Sequence, residues 1–167
     1  MKLNVIIERA ALQDAKEILN LQKSAYQSEA EIYDDHTIPP LTQTLGEIIN
    51  DFQRQIFLKA SMGGKIIGSV RAFLKEETCF IGRLIVHPDF QNQGIGTKLM
   101  NEVERDFSQA RRFELFTGQK SERNIHLYEK LGYHVFRTET VTKDLRLLYM
   151  EKTKNLRGAV TIYVTSE

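Results

Sequence analysis

Most of the structural information in this 167-residue chain lies in residues 84–100, LIVHPDFQNQGIGTKLM. The apolar run 84–86 predicts the end of a buried strand, which a His-Pro pair stops. A polar turn follows, and Gly94 and Gly96 lie where the next apolar spacing predicts the start of a helix. Amides in the first turn of a helix lack intrahelical partners and carry partial positive charge, and glycine lets a large anion approach them. Residues 93–97 therefore predict a phosphate or pyrophosphate site.

Two other glycine-containing phosphate motifs do not fit this loop. A dinucleotide-binding fingerprint needs a third glycine at position 99, where the chain has Leu99. A nucleoside-triphosphate loop needs glycine followed by lysine and then serine or threonine, which this loop lacks. One structural alternative stays open from the residues alone, namely that both glycines only form a tight turn between a strand and a helix.

Length and composition predict one domain over residues 1–167. Hydrophobic residues make up 41% and charged residues 27%, which are the proportions of an ordinary globular protein. The net charge of +1 argues against a nucleic-acid or membrane binder, because such proteins usually carry a concentrated basic excess. No apolar run approaches the roughly 18 residues of a membrane span, and no cleavable leader pattern follows the N-terminus. We therefore expect a cytoplasmic protein with no membrane or nucleic-acid partner.

Hydrophobic periodicity predicts the element order β-α-α-β-β-β-α-β-α-β-β. The pair Gly63-Gly64 predicts a hairpin between two of the strands. We expect the polar, acidic residues 29–40 to be irregular, because their closing diproline stops regular structure. This order predicts an α/β (α+β) fold, a mixed, mainly antiparallel central sheet of about seven strands flanked by about four helices. Residues 156–167 form either one more strand or a C-terminal extension. The expected strands are 3–7, 55–61, 65–74, 79–86, 113–117, 133–141 and 145–150, and the expected helices are 14–28, 45–52, 94–107 and 121–131.

Two motifs resemble signatures of the GCN5-related N-acetyltransferase (GNAT) superfamily. The pattern Gln91-x-x-Gly94-x-Gly96, placed after a buried strand, resembles that family's acetyl-coenzyme A signature. Residues 124–133, NIHLYEKLGY, resemble its second signature, an Asn followed by Tyr-x-Lys-x-Gly-Tyr. Both motifs occur in the family's order, and the predicted elements over residues 3–152 match the family's fold. The resemblance therefore implies a GNAT-like sheet in which a splayed pair of strands holds coenzyme A.

The resemblance implies a coenzyme site built largely from backbone atoms. In the family, the loop amides cradle the pyrophosphate, and the preceding strand pairs with the pantetheine arm while one of its amides polarises the thioester carbonyl. Tyr128 would protonate the departing thiolate and Asn124 would contact the pantetheine, with a core tyrosine and a helix N-cap as their structural alternatives. Tyr128 is thus the expected catalytic residue. The expected coenzyme-binding residues are Leu84, Ile85, Val86, Gln91, Asn92, Gln93, Gly94, Ile95, Gly96, Thr97, Asn124 and Tyr128.

The general base of the family has no clear equivalent in this chain. Some family members use a glutamate in the strand before the pyrophosphate loop, and the corresponding position here is about Gly82, which cannot accept a proton. An ordered chain of waters is an alternative to a dedicated residue, so no base is assigned. The candidates for this role are Glu29, Glu31, Asp34, Asp35, His36, Glu76 and Glu77.

Neither metal nor thiol chemistry is expected. The single cysteine, Cys79, cannot form an internal disulfide, and no Cys/His cluster has zinc-ligand spacing. Because Cys79 lies in a predicted strand without an activating base, we expect a buried, inert thiol rather than an acyl carrier. We expect His87 and His126 to lie at the surface or to support other residues.

The resemblance implies acetyl transfer from acetyl-CoA, as co-substrate, to a primary amine of a small molecule or peptide by direct attack in a ternary complex. Acids at Glu31, Asp34 and Asp35, together with the Tyr33 ring, would attract a cationic amine. A non-catalytic acyl-CoA-binding regulatory module is the alternative that Gly82 keeps open. An exposed sheet edge in the C-terminal arm would also permit a homodimer. A nucleic-acid binder would use the basic residues Arg105, Arg111, Arg112, Lys120 and Arg123, which near-neutral charge disfavours.

Overall fold

The computed structural model describes residues 4–154, which form one seven-stranded sheet with helices on both faces. The strands are β1 (Ile6–Arg9), β2 (Ile56–Met62), β3 (Lys65–Lys75), β4 (Thr78–Val86), β5 (Arg112–Gly118), β6 (His134–Thr140) and β7 (Arg146–Thr153). Their order in the sheet is β1-β2-β3-β4-β5-β7-β6, and every neighbouring pair is antiparallel except β4 and β5. The mixed, mainly antiparallel sheet predicted from the sequence is confirmed.

Within residues 4–154, six α-helices flank the sheet, two of them short. They are α1 (Ala15–Ala25), α2 (Gln27–Tyr33), α3 (Pro39–Thr42), α4 (Leu45–Arg54), α5 (Ile95–Asp106) and α6 (Glu122–Lys130). The expected helix over 14–28 divides at Tyr26, whose φ of −85° and ψ of 0° end α1 before α2 begins. The four predicted helical segments are therefore present, with α2 and α3 added between them.

The prediction that residues 29–40 are irregular holds for residues 34–38 but is wrong at both ends, where α2 and α3 are helical. Ala30 and Tyr33 are buried, so α2 has an apolar side that packs onto the protein and holds it helical despite its acidic surface. The diproline begins a helix instead of ending one, because Pro39 occupies the first helical position of α3. A missing N–H removes no intrahelical bond there, and the fixed φ of proline suits the helix.

Each face of the sheet has its own hydrophobic core. On one face α5 inserts Leu99, Met100 and Val103, all almost fully buried, against β2, β3 and β4. On the other face α1 and α4 bury Ile18 and Ile48 against the same part of the sheet. These two cores fix the position of β4, the strand on which the predicted site depends.

The strands β4 and β5 separate soon after they begin. They pair in parallel only at Thr78–Arg112, Cys79–Phe113 and Phe80–Glu114, although both continue for several residues. The register with β3 also shifts between Ser69 and Arg71, where Arg83 of β4 has a φ of +50°. This bulge and the separation leave one edge of β4 unpaired, which confirms the predicted splay.

The remaining features of the fold agree with the sequence where the structure describes them. The β2–β3 hairpin turns at Gly63-Gly64 and the β6–β7 pair is antiparallel, as predicted. Strand β6 is an edge strand with all its residues exposed. Between residues 4 and 154 no helix combines the length and apolar character needed to span a bilayer. The possible C-terminal extension, 156–167, and the start of the predicted first strand at Leu3 lie outside the described residues.

Candidate active site

A cleft of about 930 Å³ opens where β4 and β5 separate. Its walls are the end of β4, the loop into α5, the start of α6 and the α1–α2 junction. Most residues predicted to bind coenzyme line it, the exceptions being the exposed Gln93 and the buried Tyr128. The predicted residues that line the cleft are Leu84, Ile85, Val86, Gln91, Asn92, Gly94, Ile95, Gly96, Thr97 and Asn124.

The loop before α5 turns its backbone toward the cleft. Asn92 has a φ of +63° and Gly94, the N-cap of α5, has a φ of +83°, a conformation that glycine adopts without steric cost. No side chain caps this helix, so the amides of its first turn have no capping acceptor. A Cβ at Gly94 would meet no atom within 4 Å, which means that the space beside it is open. The loop thus presents free amides, partial positive charge and room for an anion.

The Gln91 side chain connects this loop to both β4 and α6. Its side-chain amide donates to the Val86 carbonyl of β4 at 3.2 Å, and its side-chain oxygen accepts a hydrogen bond from Arg123 of α6. The residue therefore holds together the two sides of the cleft through its side chain. The sequence motif indicated the position but not this bridge.

Tyr128 lies beneath the cleft, against the core formed by α5. Its side chain is 6% exposed, and its ring meets that of Tyr133 edge-on at 6.1 Å between centroids. Burial raises the pKa of the Tyr128 phenol above its ordinary value, and the nearby Tyr26 and Glu29 raise it further. Within residues 4–154 every fully buried side-chain polar atom has a hydrogen-bond partner. The Tyr128 hydroxyl makes no hydrogen bond within these residues and is therefore not among the fully buried polar atoms.

Glu29 of α2 joins the two sides of the cleft. Its carboxylate accepts a hydrogen bond from Ser121 Oγ at 3.0 Å and from Asn124 Nδ2 at 3.1 Å, and burial raises its pKa. Asn124 therefore does not cap α6, whose N-cap residue is Ser121. Beside it, the Tyr33 hydroxyl lies 2.8 Å from Ser121 Oγ and accepts from the Lys120 amide at 2.9 Å. This cluster of hydrogen bonds holds α2 across the opening of the splay.

The other acidic candidates divide between cleft and surface. Glu31 is exposed on the cleft wall, whereas Asp34 ends α2 in the left-handed conformation and Asp35 hydrogen-bonds Thr37. Tyr33 is 8% exposed with its hydroxyl engaged, so its ring is not open to a cationic acceptor. Of the seven candidates for a base, Glu29 is the one that is half-buried within the cleft lining.

The thiol and the two histidines occupy different surroundings. Burial raises the pKa of the Cys79 thiol to about 12, so an inert thiol is what the structure supports. The His87 ring accepts a hydrogen bond from the Asp89 amide and packs edge-on against Phe90. His126 lies on the cleft wall, although it was not among the residues predicted to bind coenzyme.

A buried polar cluster between β3, β4, α1 and α4 was missed by the sequence analysis. Arg71 of β3 is 4% exposed and donates to Gln22 Oε1 at 2.6 Å and to Asp51 Oδ2 at 3.0 Å. Gln43 lies between Arg71 and Arg83 and accepts from both guanidinium groups. The signal in the sequence was an arginine in the middle of an apolar strand, which calls for buried partners.

The basic residues considered for nucleic acid are largely paired with acids. Arg105 pairs with Glu102, and Arg111 pairs with Glu77 at 2.6 Å. Arg112 pairs with Glu114 and Glu151. In the described part of the chain, no three His, Cys, Asp or Glu side chains come together in a way that would hold a metal ion.

One known family matches most of the residues that build this cleft. The sequence model of the Acetyltransferase (GNAT) family matches residues 15–133. The chain belongs to this family. Both motifs on which the resemblance was based lie within the matched residues, so the family inferred from them is confirmed.

Individual similar proteins show how far the similarity extends. The UPF0157 protein YqkA from Bacillus subtilis (strain 168) is 31% identical over 133 residues, which is 80% of this chain but 38% of YqkA. The match thus spans well under half of that relative's length. The ribosomal-protein-S18-alanine N-acetyltransferase from Escherichia coli is 16% identical with a TM-score of 0.76, covering 93% of this chain and 97% of that one. The yncA protein from Salmonella typhimurium, solved with its cofactor acetyl-CoA, is 16% identical with a TM-score of 0.74 and coverages of 92% and 95%. Both structures share the fold of this chain.

Proposed function

We propose that this chain transfers an acetyl group from acetyl-CoA to a primary amine of a small molecule or peptide by direct attack in a ternary complex. The observation that carries the proposal is that one cleft contains both the uncapped N-terminus of α5 and the unpaired edge of β4. The first suits a pyrophosphate and the second suits the amide-bearing pantetheine arm. The related fold of yncA was solved with acetyl-CoA as its cofactor, which supports the same co-substrate here.

The chemistry assigned to the chain requires an oxyanion donor and a proton donor. The amine nitrogen attacks the thioester carbon, and an amide of residues 84–86 donates to the oxyanion that forms. When the carbon–sulfur bond breaks, Tyr128 gives its phenolic proton to the departing thiolate. Because burial holds the pKa of Tyr128 above its ordinary value, the phenol carries that proton at neutral pH. The amine proton leaves through the open cleft, where the half-buried Glu29 carboxylate is the group assigned to accept it. The phenolate of Tyr128 then regains a proton from water.

The coenzyme site is tested by calorimetry of acetyl-CoA with two matched variants. Gly94→Ala and Gly64→Ala introduce the same side chain at φ values of +83° and +81°, with open space around both. Each substitution should destabilise the protein by about 1–2 kcal/mol, because L-residues resist this conformation. Only Gly94→Ala should raise the Kd for acetyl-CoA, by about tenfold or more, which corresponds to about 1.4 kcal/mol of binding free energy. Equal affinities in the two variants would contradict the proposed site.

The catalytic assignment is tested with Tyr128→Phe in a free-thiol assay using acetyl-CoA and a panel of amines. We expect kcat to fall by about 10²-fold or more, the usual contribution of a general acid, while the Kd for acetyl-CoA changes little. Equal losses in kcat and affinity would show that Tyr128 only packs the core. Binding of acetyl-CoA without turnover of any amine would instead support a non-catalytic acyl-CoA-binding module.

A further inference from the structure

The strongest observation outside the coenzyme site is an excess of positive charge on the sheet face next to it. Arg71 and Arg83 share the amide oxygen of Gln43, which lies 3.5 Å from Arg71 Nη1 and 3.1 Å from Arg83 Nη1. Asp51 is the carboxylate that pairs with this cluster within residues 4–154, and the exposed Arg54 also binds it. Two guanidinium groups, those of Arg71 and Arg54, therefore share this carboxylate, and Arg83 has no carboxylate partner within residues 4–154.

Arg83 is the member of the cluster with donors to spare. Its Nη1 makes the hydrogen bond to Gln43, and no other N–H of its guanidinium has a partner among the described residues. Burial lowers the pKa of Arg71 to about 10, with the Arg83 charge as the next largest cause. Two neighbouring guanidiniums with too few acceptors are most stable when an anion binds between or beside them.

The surface beside Arg83 contains an open space over Gly82. A Cβ at Gly82 would meet one neighbouring atom at the limit of contact, Arg71 Cγ at 4.0 Å. Two residues further along the same face, Phe73 and Phe80 stack with ring centroids 5.2 Å apart and belong to neither core. The Arg83 guanidinium, the open space over Gly82 and the Phe73–Phe80 pair thus follow one another along one face of β3 and β4.

This face adjoins the proposed reaction centre. Arg83 immediately precedes Leu84, the first residue of β4 in the cleft lining. Burial raises the pKa of Tyr26, which also lines the cleft, and the nearby Arg83 charge opposes that effect. The same tyrosine acts on the pKa of Tyr128 after the larger effect of burial. An acceptor held at Arg83 would therefore lie next to residues 84–86, whose amides are assigned to the thioester carbonyl.

We infer that the acceptor is an amino acid with an apolar side chain, whose carboxylate binds Arg83 and whose side chain lies over Gly82 against Phe73 and Phe80. This inference rests on the proposed function, and it replaces the simple cationic amine expected from the acidic segment of α2. A planar guanidinium with free N–H groups binds carboxylate in a two-point geometry, which an uncharged amine cannot use. Glu114, the residue of β5 opposite Phe80, is paired with Arg112 and leaves Arg83 available.

The test compares matched acceptors in the free-thiol assay with acetyl-CoA. L-phenylalanine and L-leucine are compared with L-phenylalaninamide and L-leucinamide, with rates corrected for the free-amine fraction at the assay pH. The acids should have a KM lower by about tenfold or more, as expected for a charge-assisted hydrogen bond. Amides or polyamines that serve as well as the acids would overturn the inference while leaving acetyl transfer intact. Failure of every amine would instead overturn the proposed function, and the inference with it.

Three variants localise the effect. Arg83→Gln should raise the KM for the acids by about tenfold or more and leave the amides unchanged. Arg54→Gln removes an exposed arginine from the same Asp51 and should change neither. Gly82→Leu fills the open space and should raise the KM for both acceptor types while the Kd for acetyl-CoA stays constant. Equal effects of Arg83→Gln on acids and amides, or none from Gly82→Leu, would refute the placement.

Discussion

The contact between Gly118 and Tyr33 gives a sharp test of how α2 is held over the cleft. Gly118 ends β5, and a Cβ added there would overlap the Tyr33 hydroxyl and lie 2.5 Å from its Cζ. The φ of Gly118 is not in the left-handed region, so the substitution Gly118→Ala tests side-chain contacts and not backbone strain. The contact with Tyr33 is the severe one, and Leu145 Cδ1, at 3.2 Å from the added Cβ, is the end of a flexible side chain. Tyr33 must move away, and its hydroxyl then loses the contacts with Ser121 and Lys120.

The expected loss of stability follows from three contributions. The two hydrogen bonds contribute about 1 kcal/mol each, and residual overpacking adds about 1–3 kcal/mol. The lower entropy of the unfolded alanine chain offsets about 0.4–1 kcal/mol. Gly118→Ala should therefore lower the free energy of unfolding by about 2–4 kcal/mol, measured by urea denaturation. The same change at the exposed helical Gly46, which has open space around it, should raise stability by up to about 1 kcal/mol.

A double-mutant cycle with Tyr33→Leu decides whether the tyrosine is the cause. In that background the Tyr33 ring end is gone and Leu145 Cδ1, at 3.2 Å, is the close contact that stays, so Gly118→Ala should cost less than about 1 kcal/mol. The coupling energy should then equal most of the single-variant effect, about 2–4 kcal/mol. An equal loss in both backgrounds, or a loss under 1 kcal/mol in the parent, would refute the reasoning. Glu29, which is hydrogen-bonded to Asn124, also belongs to α2, so Gly118→Ala should weaken the binding of acetyl-CoA as well.

Two further predictions follow from buried titratable groups. With a pKa of about 12, only about 10⁻⁴ of the Cys79 thiol is ionised at pH 8, so native protein should resist thiol-specific labelling until urea unfolds it. Cys79→Ala should keep full turnover, and a loss of acetyl transfer would instead support Cys79 as an acyl carrier. The folded pKa of Glu29 is raised by burial, so its contribution to stability is present at low pH and is lost as pH rises through that value. The free energy of unfolding of Glu29→Gln should therefore rise relative to that of the parent between pH 4 and pH 8. A difference between the two proteins that stays constant over this range in urea unfolding would contradict the prediction.

Periodicity and turn chemistry were sufficient to predict the sheet. Apolar runs with β-branched residues correspond to β2 to β5, and Gly63-Gly64 marks the hairpin that the structure contains. The error at residues 29–40 came from interpreting acidic residues and a diproline as irregular. The buried Tyr33 packs against Gly118, far along the chain, and local propensity has no information about that contact.

The site was predictable where backbone chemistry determines it and hidden where distant side chains meet. The loop before α5 follows from the position of two glycines at a helix start, which is a local pattern. The Glu29–Asn124 bond joins residues 95 positions apart, and the Arg71–Gln22 bond joins residues 49 positions apart. No spacing rule connects such pairs, because the sheet and not the sequence brings them together.

The charges around the cleft favour an acceptor that carries both signs. Glu29 and Glu31 of α2 line the cleft and suit an ammonium group. Of the acids that the sequence analysis proposed for this attraction, Glu31 lines the cleft, whereas Asp34 and Asp35 do not. A plain polyamine would also meet Arg83, whose charge is already in excess beside Arg71. An amino acid satisfies both groups, since its carboxylate neutralises the guanidinium while its nitrogen stays on the acidic side. The glycine at position 82 is what makes this possible, because a glutamate there would occupy the open space and pair with Arg83 itself.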